Sequence, residues 1–195
     1  MKTLFSKKFK RFRRDENGSG IVEMILMIPL LVWCTIATVA FFDAYRARFS
    51  TEKATTTIAD ILSRETNTLD DAYMNGIYDL LTALVYRNED PGIRVSVLSY
   101  DAVADSTDLV WSESRGSAPA ALTQSSLNNL APGLPLMGDL QQIIYVESFG
   151  KYRARYEPSL AKAVENFSIY VTASIDPRFA ARLCFQDSAG STLQC

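Results

Sequence analysis

The chain contains 195 residues, of which 48% are hydrophobic, 11% aromatic and 22% charged, and this composition excludes a disordered or fibrous protein. It contains no histidine, the commonest general base and zinc ligand, and the sequence shows no catalytic triad, phosphate-binding loop, dinucleotide motif or metal-ligand cluster. We therefore predict a protein that is not an enzyme, with no catalytic residues, no cofactor, no bound metal and no small-molecule substrate.

The charged residues are distributed unevenly, although the net charge is only -2. Residues 1–18 contain seven basic and two acidic residues, whereas the remaining 177 residues contain 13 basic and 20 acidic residues. A basic arm in front of an acidic body is compatible with nucleic-acid binding, but this arm ends where a hydrophobic run begins. That placement is typical of a membrane-topology signal. We therefore predict that residues 1–18 are a basic cytoplasmic leader.

Residues 21–42 form a 22-residue apolar run in which Glu23 is the only charged residue. A helix of this length spans about 33 Å, enough to cross a hydrocarbon core of about 30 Å. A cleaved secretory signal would have a shorter apolar region, and the nearest small-residue site, at residues 38–40, is followed by two phenylalanines. We predict a retained transmembrane helix over residues 19–43. The basic leader then places residues 44–195 in the periplasm, as the soluble part of a single-pass inner-membrane protein.

Glu23 is an unusual residue in such a segment, because a carboxylate at the bilayer centre costs about 2.5–3.5 kcal/mol. One explanation is that an acidic residue near a helix start interacts favourably with the positive end of the helix dipole. A second explanation follows from the spacing, since Glu23 is the fifth residue after Gly18. Both explanations remain open on the sequence alone.

A basic leader, a glycine, and a glutamate five residues later inside a hydrophobic helix resemble the N-terminus of type IV prepilin-like proteins. The resemblance implies that a prepilin peptidase cuts after Gly18 and that Ser19 becomes the mature N-terminus. It also implies that Glu23 pairs with the N-terminal ammonium group of a neighbouring subunit. Such pairing would offset part of the cost of placing two charges in lipid. Glycine before the cut suits a protease that needs an unhindered backbone.

The stretch GSGIVEMILMIPLLVW, residues 18–33, is similar to the N-terminal segment of the TadE/TadG-like family, pseudopilins of the tight-adherence pilus system. Val22-Glu23 is followed by Pro29-Leu30-Leu31, with the proline six residues after the glutamate, as in that family. Met24 departs from the family pattern, which usually has an aromatic residue there. Pro29 is either a simple kink or a weak point at which the helix bends or melts during packing.

The helical pattern continues beyond the apolar run. A 3.6-residue period places Ala54, Ile58, Ile61, Leu62 and Glu65 on one face, and no glycine or proline interrupts residues 42–64. We predict one long helix from about Ser19 to Glu65. Apolar residues between Tyr73 and Val85 predict a second amphipathic helix, which begins at the capping-box-like Thr68-x-x-Asp71 and is ended by residues 88–92.

The remainder of the chain shows the alternation typical of strands. Four strands are predicted, at residues 93–100, 108–114, 141–149 and 167–175, and the first two would form a hairpin. Residues 115–139 are rich in Ser, Pro, Asn and Gly, which predicts a long loop with a short helical turn. We therefore predict an α+β fold: a long N-terminal helix, a second helix and a small antiparallel sheet, similar to pilin-like folds.

Aromatic and basic residues cluster in the second half of the chain and raise the alternative of a nucleic-acid surface. The aromatic residues are Tyr145, Tyr152, Tyr156 and Tyr170, and the basic residues are Lys151, Arg153 and Arg155. An acidic body outside the cytoplasm favours a different explanation, in which strand aromatics pack the sheet and the arginines are solvated at a turn. We therefore expect no nucleic-acid partner.

Three cysteines occur in the chain. Cys34 lies in the apolar run, where it behaves as a small apolar residue. Cys184 and Cys195 lie in the exported body, in an oxidising compartment, and their 11-residue separation permits a disulfide. In the chain-entropy model this disulfide contributes about 3 kcal/mol and fixes a C-terminal tail that would otherwise fray.

Two functions remain open on the sequence alone. The resemblance implies a minor pilin-like subunit that takes part in assembling a tight-adherence pilus or a related secretion apparatus. Its partners would be other pilin-like subunits, the pilus assembly machinery, a prepilin peptidase and membrane lipid. The alternative is a bitopic inner-membrane anchor whose periplasmic domain binds another envelope component. The identity of the mature N-terminal residue would distinguish the two.

Overall fold

The computed structural model describes residues 19–153, 166–187 and 193–195. The chain divides into two compact units, with the boundary between Phe42 and Asp43. In chain order the elements are α1 (Ser19–Ser63), α2 (Asp71–Leu84), β1 (Asn88–Asp101), β2 (Ser106–Gly116), α3 (Gln124–Leu130), a 3-10 helix (Ala131–Gly133), β3 (Gln142–Arg153) and β4 (Asn166–Ile175). The architecture is the predicted α+β fold.

Helix α1 is 45 residues long and continues from the first unit into the second. It ends at Ser63, two residues before the predicted end. Its apolar stripe in the second unit packs on the sheet, which confirms the predicted face; the fully buried members are Ala54, Ile58 and Leu62. A polar contact adds specificity to this packing, because the buried Thr55 hydroxyl donates to Ser148 Oγ at 2.8 Å.

Helix α2 begins two residues earlier than its first predicted apolar residue, and its cap differs from the prediction. Asp70, rather than Thr68, is the N-cap: its carboxylate accepts a hydrogen bond from the backbone N–H of Tyr73 at 2.8 Å. The prediction of a Thr68 cap was wrong because Asp70 is also a good N-cap residue and lies closer to the start of the helix. The buried face of α2 is formed by Met74, Ile77 and Leu81.

The four strands form one antiparallel sheet in the order β2-β1-β3-β4, and β1 and β2 form the predicted hairpin. Strand β1 begins at Asn88, five residues before its predicted start. Asn88 and Glu89 pair with Tyr152 and Lys151, after which the register shifts before Gly92. Pro91 lies in this irregularity and has no N–H to donate, which is why the sequence there is typical of a helix-ending turn rather than a strand.

Both faces of the sheet are covered. Helices α1 and α2 cover one face and enclose the main core, which contains Ile93, Val95, Val97, Trp111, Ile144 and Val146 from the sheet. The predicted loop after β2 contains α3 and the 3-10 helix, and it covers part of the other face. There Leu122 and Leu127 pack on Leu98, Ile143 and Tyr145.

Five of the seven aromatic and basic residues considered as a nucleic-acid surface lie in the described part of the chain. Tyr145 and Tyr152 are buried in the sheet, whereas Tyr170 is half-exposed on β4. Lys151 and Arg153 are exposed, but they belong to the end of β3 instead of a turn, because the strand ends four residues later than predicted. Tyr156 and Arg155 lie outside the described residues.

Candidate assembly site

The apolar part of α1 is the first component of the candidate site. Almost every described side chain between residues 20 and 42 is exposed, including Ile25, Leu26, Leu31 and Phe42. Within the described part of the chain, α1 is the one helix that is long and apolar enough to cross a membrane, judged by length and composition. A helix that is apolar all round and uncovered by its own chain requires lipid or other helices around it.

The two threonine hydroxyls in this segment form hydrogen bonds within the helix. The hydroxyl of Thr35 donates to the carbonyl of Leu31, and that of Thr38 donates to the carbonyl of Cys34, both at 2.8 Å. These bonds satisfy the hydroxyl groups within the helix, as is necessary in a hydrocarbon environment that contains no water. Cys34 is a free, exposed thiol.

The structure places three of the predicted assembly residues on α1, while Gly18 lies outside the described residues. In the described part of the chain α1 begins at Ser19, and Glu23 lies four residues later in the same helix. Pro29 lies inside the helix, which continues through it, so the carbonyl of Ile25 has no N–H partner from residue 29.

A cluster of polar groups lies where α1 enters the second unit, and we call it the Asp43 cluster. The Asp43 carboxylate accepts hydrogen bonds from the hydroxyls of Tyr86, at 3.1 Å, and Tyr152, at 2.9 Å. Its Oδ2 also lies 3.2 Å from an Arg87 guanidinium nitrogen. The guanidinium of Arg46 lies 4.5 Å from the centre of the Tyr86 ring. These contacts attach the start of this helical segment to the connection between α2 and β1 and to the end of β3.

The prediction from sequence missed the Asp43 cluster. Asp43 is the first charged residue after the apolar run, and its position at a segment boundary is the one signal it offers. Tyr152 is 109 residues away in the chain. The pairing therefore depends on the register of β3 against α1, which residue patterns do not specify.

Burial, together with the hydrogen bond to Asp43, raises the pKa of Tyr152 from 10.0 to about 12. An unfolded tyrosine loses its proton near pH 10, so the folded state binds the extra proton above that pH. The contribution of Tyr152 to stability is therefore complete below pH 10 and is lost as the pH rises to about 12.

We expect the free energy of unfolding of the wild-type protein to fall between pH 10 and 12, and Tyr152→Phe to reduce that fall. Phenylalanine keeps the ring packing against Phe167 but has no proton to lose. Urea unfolding at a series of pH values measures the slope of the free energy of unfolding against pH. An unchanged slope in Tyr152→Phe would contradict the assignment, and Tyr45→Phe, at an exposed position on α1, is the matched control.

A second polar cluster is buried on the sheet face opposite α1. Arg94 and Glu147 are cross-strand partners, and their side chains form two parallel bonds: Nε to Oε2 at 2.6 Å and Nη2 to Oε1 at 2.9 Å. Tyr170 donates to Glu147 Oε1 at 2.8 Å, and Arg94 donates to the carbonyl of Ala120 at 3.1 Å. Burial and this hydrogen bond raise the pKa of Tyr170 well above its usual range. These bonds connect β1, β3 and β4 with one another and with the segment that follows β2.

The structure joins Cys184 to Cys195 in a disulfide, the predicted pairing. The C-terminal segment it closes is held against the domain by backbone hydrogen bonds from Leu69 to Cys184 and from Gln186 to Leu69, and Phe185 and Gln194 pair within the segment. In the described part of the chain, no three His, Cys, Asp or Glu side chains are placed to hold a metal ion.

No protein-family model, no curated protein and no solved structure matches this chain. The architecture itself is pilin-like: a long apolar N-terminal helix whose later half carries an antiparallel sheet.

Proposed function

We propose that this protein is a minor pilin-like subunit of the TadE/TadG-like type, which takes part in assembling a tight-adherence pilus or a related secretion apparatus. The observation that supports the proposal best is the exposed apolar half of α1, which has Glu23 as its single charge and continues into the helix that carries the sheet. A helix of this kind serves both as a membrane anchor and as a packing element for other subunits.

In this proposal the subunit spans the inner membrane once, with its N-terminus in the cytoplasm and residues 44–195 in the periplasm. The basic leader supports that orientation. The Cys184–Cys195 disulfide supports the periplasmic location of the domain, because disulfides persist in oxidising compartments. Its partners are other pilin-like subunits, the assembly machinery, membrane lipid and a prepilin peptidase.

Assembly proceeds by lateral association of the apolar helices. After a cut following Gly18, the new ammonium group of Ser19 pairs with Glu23 of a neighbouring helix. The four-residue spacing between the two groups corresponds to a rise of about 6 Å, so neighbouring parallel helices would be staggered by about one turn. Pairing neutralises two charges in a low-dielectric region, which fixes the register of the helices. Pro29 gives this segment a place to bend as it packs.

We expect N-terminal sequencing of the protein from cells with an intact prepilin peptidase to begin at Ser19. We also expect Glu23→Gln to reduce pilus assembly at least tenfold, a figure that corresponds to about 1.4 kcal/mol of lost pairing, while the protein remains in the membrane. Counting surface pili by electron microscopy measures the effect, with membrane fractionation alongside. Glu52→Gln, an exposed glutamate on the sheet-bearing half of α1, is the matched control and should assemble normally.

An intact Met1 together with normal pili in Glu23→Gln would contradict the proposal. That result would favour the simpler function, a bitopic anchor whose periplasmic domain binds another envelope component. An intact Met1 with lost pili would retain the role of Glu23 but remove Ser19 as its partner.

A further inference from the structure

Exposed basic and aromatic side chains surround the end of the second unit at which α1 enters. We call this set the proximal collar, and it consists of Tyr45, Arg46, Arg48, Phe49, Lys151 and Arg153. The exposed fractions are 53% for Tyr45, 44% for Phe49, 73% for the Lys151 side chain and 61% for that of Arg153. Aromatic residues mixed with Arg and Lys are typical of groups that lie at a membrane–water interface.

The position of the collar along α1 matches the depth of lipid headgroups. The apolar run ends at Phe42, and a helical rise of 1.5 Å per residue places Tyr45 about 4.5 Å and Phe49 about 10.5 Å beyond it. The headgroup region extends roughly 5–7 Å beyond the hydrocarbon core on each side of a bilayer. Tyr45 and Arg46 therefore lie at the height of the headgroups if the apolar run lies in the hydrocarbon. The backbone of Arg48 and Phe49 lies a few Å further out, and their side chains, which tilt toward the helix N-terminus, point back toward the headgroups.

The β3 part of the collar lies at the same height. Tyr152 donates its hydroxyl to Asp43 at 2.9 Å, which brings the end of β3 level with the residue that follows the apolar run. Lys151 and Arg153 flank Tyr152 in the strand, and their side chains project to the opposite face of the sheet. The collar thus extends from the helix to the sheet.

Acidic residues near the collar bind its cations only weakly. Lys151 lies 3.9 Å from Asp90, and Arg153 lies 3.7 Å from Glu89, and all four side chains are more than half exposed. Exposed ion pairs of this kind contribute little free energy. The cations can therefore exchange these partners for another anion.

The opposite end of the domain has the opposite charge. The β1–β2 turn, the start of β3 and the end of β4 carry acidic residues, namely Asp101, Asp105, Asp108, Asp139 and Asp176. Two exposed arginines, Arg64 and Arg178, also lie near this end, but both lie beside Asp60, and the acidic groups outnumber them. An anionic surface would attract the proximal collar and repel the far end, so the charge distribution itself selects one orientation of the domain.

We propose that the proximal collar binds the phosphate groups of anionic phospholipids and holds the periplasmic domain on the membrane surface before assembly. This inference rests on the proposed membrane span. The arginine and lysine groups bind headgroup phosphates through charge-assisted hydrogen bonds, and the Tyr45 and Phe49 rings lie among the headgroups. Release of the collar from lipid accompanies the departure of the subunit from the bilayer.

The test uses the full-length protein in phosphatidylcholine vesicles that contain phosphatidylglycerol, with a trace of a photo-crosslinking analogue of one lipid or the other. Peptide mapping then counts lipid adducts on residues 45–49 and 151–153, which separates the collar from the basic leader. One basic residue near an anionic surface changes lipid binding by about fivefold. We expect the phosphatidylglycerol analogue to form at least ten times as many adducts at the collar as the phosphatidylcholine analogue. This figure allows for the negative charges of Glu89 and Asp90, which offset part of the attraction of the collar for anionic lipid.

The triple variant Arg48→Gln/Lys151→Gln/Arg153→Gln should lose this preference. The control is Arg64→Gln/Arg178→Gln, at two exposed arginines that lie beside Asp60, away from the collar, and it should keep the preference. Equal labelling by the two lipids, or an unchanged preference in the triple variant, would overturn the proposal.

Two further outcomes separate this inference from the proposed function. Carbonate extraction reports membrane insertion, so a protein that is extracted would refute the membrane span and the collar together. A protein that stays inserted but shows no lipid preference would refute the collar alone. Crosslinks from the collar to the acidic end of a second copy, in place of lipid, would also overturn the lipid assignment.

Discussion

Replacing either Glu147 with leucine or Arg94 with methionine alone should lower the free energy of unfolding by about 3–5 kcal/mol. Each single change leaves the other charge buried without its partner. The Glu147 side chain is only 1% exposed and that of Arg94 only 11% exposed, so water cannot replace the lost group. Unfolding of the full-length protein in urea, followed by circular dichroism, measures the change.

The double variant Arg94→Met/Glu147→Leu should recover most of this loss. Removing both charges leaves neither one unpaired, and two apolar side chains of similar volume can pack on the sheet. The Tyr170 hydroxyl and the Ala120 carbonyl each lose a hydrogen-bond partner in the double variant, which is why we do not expect the recovery to be complete. A double variant as unstable as the single ones would show that the bonds themselves, rather than the unpaired charge, dominate.

The Asp60–Arg64 pair provides the matched control. Its nitrogen and oxygen are 2.9 Å apart, a distance similar to those in the buried pair, but its side chains are 40% and 57% exposed. Arg64→Met should therefore change the free energy of unfolding by less than about 1 kcal/mol. Equal losses in Arg64→Met and Arg94→Met would contradict the claim that burial decides the size of the effect.

The burial of the Arg94–Glu147 pair could not be predicted from the sequence. Arg94 lies between Ile93 and Val95 in an alternating strand, a pattern that predicts a solvent-facing position. The structure covers that face with the segment after β2, whose Ser, Pro and Gly content indicates an exposed loop. A residue pattern records alternation along one strand, but it does not record which loop returns over the sheet.

The elements themselves were more accessible to prediction. Helical periodicity gave the buried face of α1, and alternation gave the four strands, because both patterns follow from the geometry of a single segment. The errors lie at the boundaries of the elements, at the start of β1 (Asn88) and at the predicted cap of α2 (Thr68). In both places a short stretch of sequence is compatible with two different local structures. Contacts between distant segments, such as Asp43 with Tyr152, depend on the register between elements and were not predicted.

The disulfide variant Cys184→Ser/Cys195→Ser should lower the free energy of unfolding by about 3 kcal/mol, because the crosslink restricts the unfolded chain. The loss should appear first at the C-terminal segment, which rests on the β2 tryptophan. Trp111 donates its indole N–H to the carbonyl of Leu183 at 2.7 Å and stacks on Phe185 with ring centres 5.4 Å apart. Leu183 and Phe185 are both almost fully buried, so fraying of this segment exposes part of the main core.

Hydrogen exchange locates this effect on the chain. The backbone N–H groups of Leu69 and Gln186, which donate to Cys184 and to Leu69 respectively, should exchange faster in the double serine variant. Cys34→Ser is the matched control, because Cys34 forms no disulfide, and it should leave both stability and exchange unchanged. A reductant should destabilise the wild-type protein and Cys34→Ser equally but leave the double serine variant unaffected. Free thiols at both Cys184 and Cys195 in protein taken from intact cells would contradict the pairing, and with it the support that the disulfide gives to a periplasmic location.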